Sequence, residues 1–214
     1  MIKMDYTDRY SYIRDLYAKE TKHLQHIRES TTGKNDGIYI YPEEGKLLQL
    51  LIKMNNIKTI VEIGTLSAYS ANWMLNAIPE DGKIYTFEYD EIRAEQSRKN
   101  IKDDRIELIF GKALETLPSI ENKAPFDMIF IDANKSGYAN YLTWAEKNIK
   151  KGGLIVADNT LLFDAVWDKN TTERVSKNAI KSMQEFNLRL ADESKYTSLL
   201  VPTEEGFSIA IKNF

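Results

Sequence analysis

The chain has 214 residues, is 43% hydrophobic and carries 29 Lys and Arg against 32 Asp and Glu, a formal net charge of −3. That length buries one sizeable core, and the near-balanced charge argues against a surface built mainly to hold nucleic acid. With no cysteine, disulfides, thiolate metal sites and thiol nucleophiles are excluded, which suits a reducing compartment. Apolar runs such as residues 47–52 are too short to span a membrane, and the first residues lack a signal-peptide core, so an unexported, cytoplasmic protein is expected.

In chain order, residues 1–38 read as a helical extension to a core at 39–214. The extension places Ile13, Leu16, Tyr17, Leu24 and Ile27 on one stripe, packed on the core, at a dimer contact or as a lid. His23 and His26 lie on it three apart; without accompanying carboxylates they read as ordinary helical histidines rather than metal ligands. Residues 33–37, bounded by Gly33 and Gly37, read as a loop, and a second helix carries Leu47, Leu48, Leu51 and Met54.

From Thr59 onward, β-branched runs alternate with amphipathic stretches, the signature of βαβ units in a parallel sheet. Strands are predicted at 59–63, 83–88, 106–110, 126–132 and 154–158, with crossover helices at 67–77, 91–101, 136–149 and 173–190. The runs at 196–201 and 207–212 are separated by too few residues for a crossover, so they should form an antiparallel hairpin. This is the layout of the class I methyltransferase fold: an α/β, Rossmann-like, seven-stranded sheet with helices on both faces.

The turn after the first strand, Val61 to Ser70, lies where an open α/β sheet binds ligands. It holds only Gly64 of a glycine-rich phosphate loop, with Ala68 at a later small position, so a dinucleotide is poorly supported. S-adenosylmethionine needs no phosphate cradle. Gly64 allows close approach, Glu62 and Ser70 can hold the amino-acid end, and Glu88 ends the second strand where a ribose-binding acid is expected. Ala113, after the third strand, can lie beside the adenine. Each also has a plainer reading, as a turn glycine or a solvated strand-end acid; their order along one sheet favours the functional one.

Two later strands end in acids, Asp132 before Asn134 and Lys135, and Asp158 before Asn159. In the expected strand order these two strands are neighbours, so Asp132, Asp158 and Asn159 would offer three hard oxygens to Mg²⁺, with Mn²⁺ or Ca²⁺ as alternatives. Such a cation eases ionisation of an acceptor hydroxyl, and Lys135 serves as general base if burial and the cation depress its pKa. The plainer readings are a helix cap or Asx-turn for Asp158 and Asn159, and a surface ion pair for Lys135. Tyr138 and Tyr141 either wall an acceptor pocket or pack into the core.

Taken together, Pro42-Glu-Glu-Gly45, Val61-Glu-Ile-Gly64, Tyr69-Ser70, Ile131-Asp-Ala-Asn-Lys135, Tyr138 with Tyr141, Gly152-Gly153 and Asp158-Asn-Thr-Leu161 resemble the bacterial metal-dependent O-methyltransferases related to caffeoyl-CoA and catechol O-methyltransferases. The resemblance runs from about Tyr39 to the C-terminus. It implies S-adenosylmethionine on Glu62, Gly64, Thr65, Ser70, Glu88 and Ala113, metal on Asp132, Asp158 and Asn159, Lys135 as base, and a homodimer. It also places Asp132 and Asn134 against the cofactor. Asn134 replaces a usual acid, Ala68 a usual glycine, and Phe163 a substrate-binding asparagine of the plant enzymes. The expected acceptor is a small catechol-like or phenolic hydroxyl. The alternative is hydroxyuridine in tRNA, gripped by Lys19, Lys22, Arg28 and Lys34 together with Lys147, Lys150 and Lys151; a cofactor-binding protein without turnover is a third reading.

Overall fold

The computed structural model describes residues 6–31 and 37–214. Seven strands form one sheet in the order β3-β2-β1-β4-β5-β7-β6. They are β1 (Thr59–Ile63), β2 (Lys83–Glu88), β3 (Ile106–Phe110), β4 (Phe126–Ile131), β5 (Ile149–Ala157), β6 (Tyr196–Val201) and β7 (Phe207–Lys212). The first five are parallel, and β7 returns antiparallel against both β5 and β6. Reversal of strand order between β1 and β4 opens a crevice at the carboxyl edge, where such sheets take ligands.

Alternation along each strand divides the core into two layers. Val61, Ile63, Ile129, Ile131, Ile155 and Ala157 join one cluster with Tyr138, Leu142 and Phe186. Ile60, Ile84, Met128, Phe130, Leu154 and Val156 join the other with Leu48, Ala71 and Trp73. The first layer is covered by α6 (Ala113–Thr116), α7 (Tyr138–Asn148) and α8 (Lys177–Leu190); the second lies under α2 (Lys22–Ser30), α3 (Pro42–Met54) and α4 (Tyr69–Leu75). The remaining helices are α1 (Arg9–Tyr17) and α5 (Glu91–Asn100).

Several boundaries differ from the sequence expectation. The N-terminal stripe is not one helix: Thr21 Oγ1 accepts Leu24 N–H at 3.2 Å and starts α2 afresh. Leu24 and Ile27 are buried, while α1 buries no side chain and leaves Leu16 and Tyr17 exposed. His23 and His26 fall on α2, and His23 Nε2 meets the Asn100 carbonyl at 2.9 Å, tying α2 to the end of α5. Of the loop expected at 33–37, only Gly37 lies within the described residues. The helix expected at 67–77 shortens to α4 because Leu66 and Ala68 adopt left-handed backbone, φ 52° and 65°. Ser176 caps α8, its Oγ accepting Ala179 N–H at 3.2 Å, so the helix begins four residues late and a 3₁₀ turn, Lys169–Arg174, precedes it. Strand β5 runs through Gly152 and Gly153 to pair Ile149 with Phe126, with an irregular register between Phe126 and Met128.

Candidate active site

The carboxyl edge gathers the expected residues from the ends of the five parallel strands. Gly64 opens the turn after β1 at φ +109°, and a Cβ there would lie 2.0 Å from the Asp132 carbonyl oxygen. Only glycine permits this approach. The β1 and β4 turns therefore pack backbone against backbone, and the two groups of candidate residues become one site.

On the cofactor side, Glu62 and Thr86 share the face covered by α4, because they alternate with Val61 and Tyr85 and lie side by side in register. Ser70, on α4, completes the contact. Its hydroxyl lies 2.5 Å from Glu62 Oε1, Thr86 Oγ1 lies 2.5 Å from Oε2, and Thr65 Oγ1 lies 2.6 Å from Thr86 Oγ1. Glu62 is 0% exposed, and burial pushes its pKa up to about 8, with Asp132 and Glu88 adding to the rise and the two hydroxyls opposing it. Glu88 is likewise buried at the end of β2. One of its oxygens accepts Leu66 N–H and the other accepts Tyr89 and Asp90 N–H, which fixes the carboxylate below the β1 turn. Ala113 opens α6 beyond β3. The exposed Tyr89, Phe110 and Leu114 flank this side.

On the other side, β4 and β5 are adjacent, so Asp132 and Asp158 follow neighbouring strand ends. Lys135 Nζ donates to Asp132 Oδ1 at 2.9 Å and to Tyr138 OH at 2.8 Å. Tyr138 OH in turn donates to the Asp158 carbonyl at 2.8 Å. Tyr138 is 0% exposed, which settles it as core support that braces both strand tips; Tyr141 is buried beside it. Asn159 takes left-handed backbone, φ 57°, and its N–H donates to Asp158 Oδ1 at 2.6 Å. Asn134 is exposed and caps its own turn, accepting Ser136 N–H at 3.1 Å.

The electrostatics show an excess of buried acid over base. Burial raises the Asp158 carboxyl well above the ordinary range, and Asp132 and Glu44 raise it further. Glu44, on the first turn of α3, is pushed up to about 7 by burial, with Asp132 among the groups that raise it. It was not singled out from the sequence, although Pro42-Glu-Glu-Gly45 was; in the structure its Oε2 also accepts Tyr41 N–H at 2.8 Å, as a helix cap does. Three acids thus face one cation, Lys135. Burial works to lower the Lys135 pKa, but Asp132 and then Tyr138 outweigh it and hold the ammonium form. Among the described residues, no three His, Cys, Asp or Glu side chains form a metal-holding group. The donor set at the strand tips is two carboxylates and an amide. A hard divalent cation fits that set, and the surplus negative charge favours one.

A sheet of this order with a turn of this kind at β1 defines the class I methyltransferase fold. The chain matches the profile of the O-methyltransferase family over residues 14–213. It is 36% identical to a catechol O-methyltransferase of Niastella koreensis, over 94% of both chains. Two solved structures superpose over 95% of this chain at 30% identity. One is the O-methyltransferase TomG of Streptomyces achromogenes in complex with S-adenosylmethionine, TM-score 0.84 with 95% of that chain covered. The other is an O-methyltransferase of Bacillus cereus in complex with S-adenosylhomocysteine, TM-score 0.85 with 96% covered. The chain belongs to the S-adenosylmethionine-dependent O-methyltransferase family.

Proposed function

We propose that the chain moves a methyl group from S-adenosylmethionine to a hydroxyl of a small catechol-like or phenolic acceptor, with a divalent cation, Mg²⁺ by preference, held by Asp132, Asp158 and Asn159. The observation that carries this reading is the adjacency of the β4 and β5 tips, which sets Asp132 and its partner Lys135 next to the Asp158-Asn159 turn and backs Asp132 onto Gly64. The Niastella relative, named a catechol O-methyltransferase, supports the acceptor class.

In this reading Glu62, Thr65 and Ser70 hold the amino-acid end of the cofactor, Glu88 the ribose and Ala113 the adenine side, while Asp132 and Asn134 border it. The cofactor supplies a sulfonium-activated methyl group, and the cation supplies Lewis acidity that eases ionisation of the acceptor hydroxyl. Lys135 is placed to receive the hydroxyl proton. It can do so only when Asp132 is engaged elsewhere, since the ion pair keeps it protonated. Tyr138 fixes the lysine head between the two strand ends. Phe163 and Trp167, both exposed on the turn that follows Asn159, offer apolar surface to an aromatic acceptor.

The tRNA reading is less favoured. Lys150 pairs with Asp127 at 2.6 Å, at the amino end of β4, and so lies at the opposite end of the sheet from Asp158. Arg28 is bound by Glu20 at 2.8 Å, and Lys34 lies outside the described residues. A cytoplasmic homodimer completes the reading, and the lack of cysteine suits that compartment.

The test is methyl-labelled cofactor with catechol, in Mg²⁺ or in EDTA. Labelling should vanish in chelator, return with Mg²⁺, and fall by at least about a hundredfold in Asp158→Ala. Full activity in EDTA would overturn the metal mechanism.

A further inference from the structure

The hydroxyl chain beneath the β1 turn contains a residue to which the sequence motifs assign no role. Thr86, on β2 and 0% exposed, touches two groups at once. Its Oγ1 is 2.5 Å from Glu62 Oε2 and 2.6 Å from Thr65 Oγ1. A hydroxyl has one proton, and an ionised carboxylate only accepts. When the ammonium of a bound ligand holds Glu62 ionised, Thr86 must donate to Glu62, and so must accept from Thr65. Ser70 donates to the other carboxylate oxygen at 2.5 Å.

The directions of all three hydroxyls are therefore set. Each proton points inward toward Glu62, and what the chain offers outward is lone pairs. Ser70 is its most accessible member, at 8% exposure against 1% for Thr65 and 0% for Glu62. Lone pairs on hydroxyls that already donate to a carboxylate are strengthened as acceptors. They receive an ammonium and repel a carboxylate. Glu62, closed off by its own partners, acts on the ligand through Ser70 and through its charge.

We propose that Thr86 is a positioning residue for the ammonium group of S-adenosylmethionine, orienting Glu62 and Thr65 so that the pocket presents only acceptors to the amino-acid end. This rests on the cofactor placement given above. Removal of the Thr86 hydroxyl leaves one Glu62 oxygen without its donor and frees Thr65 to turn, so the acceptor array loses its fixed direction.

The test compares two ligands that differ in the amino-acid end. S-adenosylhomocysteine carries it; methylthioadenosine keeps adenine, ribose and sulfur without it. In Thr86→Val, affinity for S-adenosylhomocysteine should fall by about tenfold or more, while that for methylthioadenosine stays within about twofold. Thr86→Ser, which restores the hydroxyl, should recover most of the loss. Equal losses for both ligands would mean that Thr86 only packs the strand, and no loss for either would mean that it positions nothing; both overturn the proposal. If the unaltered protein binds the two ligands equally, the amino-acid end is not held here at all and the underlying placement fails, independently of Thr86. Methylthioadenosine binding also reports that each variant is folded.

Discussion

Glu62 is an acid whose burial holds its pKa near 8 in the folded protein, against an ordinary carboxyl value when unfolded. Between those values the folded state binds the extra proton, so stability falls as pH rises through the window from about 4.5 to about 8. Glu62→Gln cannot ionise and keeps a side chain that hydrogen bonds. Melting temperature measured without ligand should therefore decline less between pH 5 and pH 8 in this variant than in the unaltered protein. An unchanged slope would remove Glu62 as its source. Cofactor affinity should fall in the same variant, because the negative charge that answers the ammonium is gone. Asp132 and Asp158 differ in kind from Glu62: Asp132 Oδ1 has the Lys135 ammonium at 2.9 Å, and Asp158 Oδ1 accepts the Asn159 N–H at 2.6 Å.

At the level of elements, the site depends on how securely the helices between the strands are terminated. Helix α7 carries the Tyr138 brace at its start, and its last turn is held by Lys212 from β7, whose Nζ donates to the Glu146 carbonyl at 2.6 Å and to the Ile149 carbonyl at 3.3 Å. A lysine placed there meets the negative end of the helix dipole and satisfies carbonyls that the helix itself cannot. Lys212→Met keeps the apolar stem and removes the charge. It should lower unfolding free energy by about 2 kcal/mol in denaturant titration while leaving kcat of the folded enzyme unchanged. A fall in kcat at constant stability would show that the C-terminal hairpin has a direct part in the reaction. The β1 turn behaves oppositely, because Gly64 has no room for a side chain. Gly64→Ala should abolish S-adenosylhomocysteine binding, measured by calorimetry, since the β1 and β4 turns must then move apart.

For the molecule as a whole, ligand binding couples the two sides of the crevice, so S-adenosylhomocysteine at a hundred times its Kd should add about 2.7 kcal/mol to stability. That appears as a rise in melting temperature, and its absence would argue against a cofactor site. No helix among the described residues is long and apolar enough to cross a membrane, in keeping with the short apolar runs of the sequence. The alternation of β-branched and amphipathic segments determined the parallel sheet and its hairpin, because burial on both faces imposes a local periodicity that the residues carry themselves. The places of Gly64, Glu88, Asp132 and Asp158 at or just past strand ends were legible for the same reason, with Lys135 three residues beyond Asp132. Helix ends were read less well, since Thr21 and Ser176 cap by contacts that periodicity does not weigh. What only the tertiary structure decided are the pairings across elements: Glu62 with Thr86 and Ser70, Glu44 near Asp158, and Tyr138 under both strand tips. The physical reason is range. Periodicity acts over a few residues, whereas a buried carboxylate is shaped by whichever donors the packed sheet and helices bring beside it.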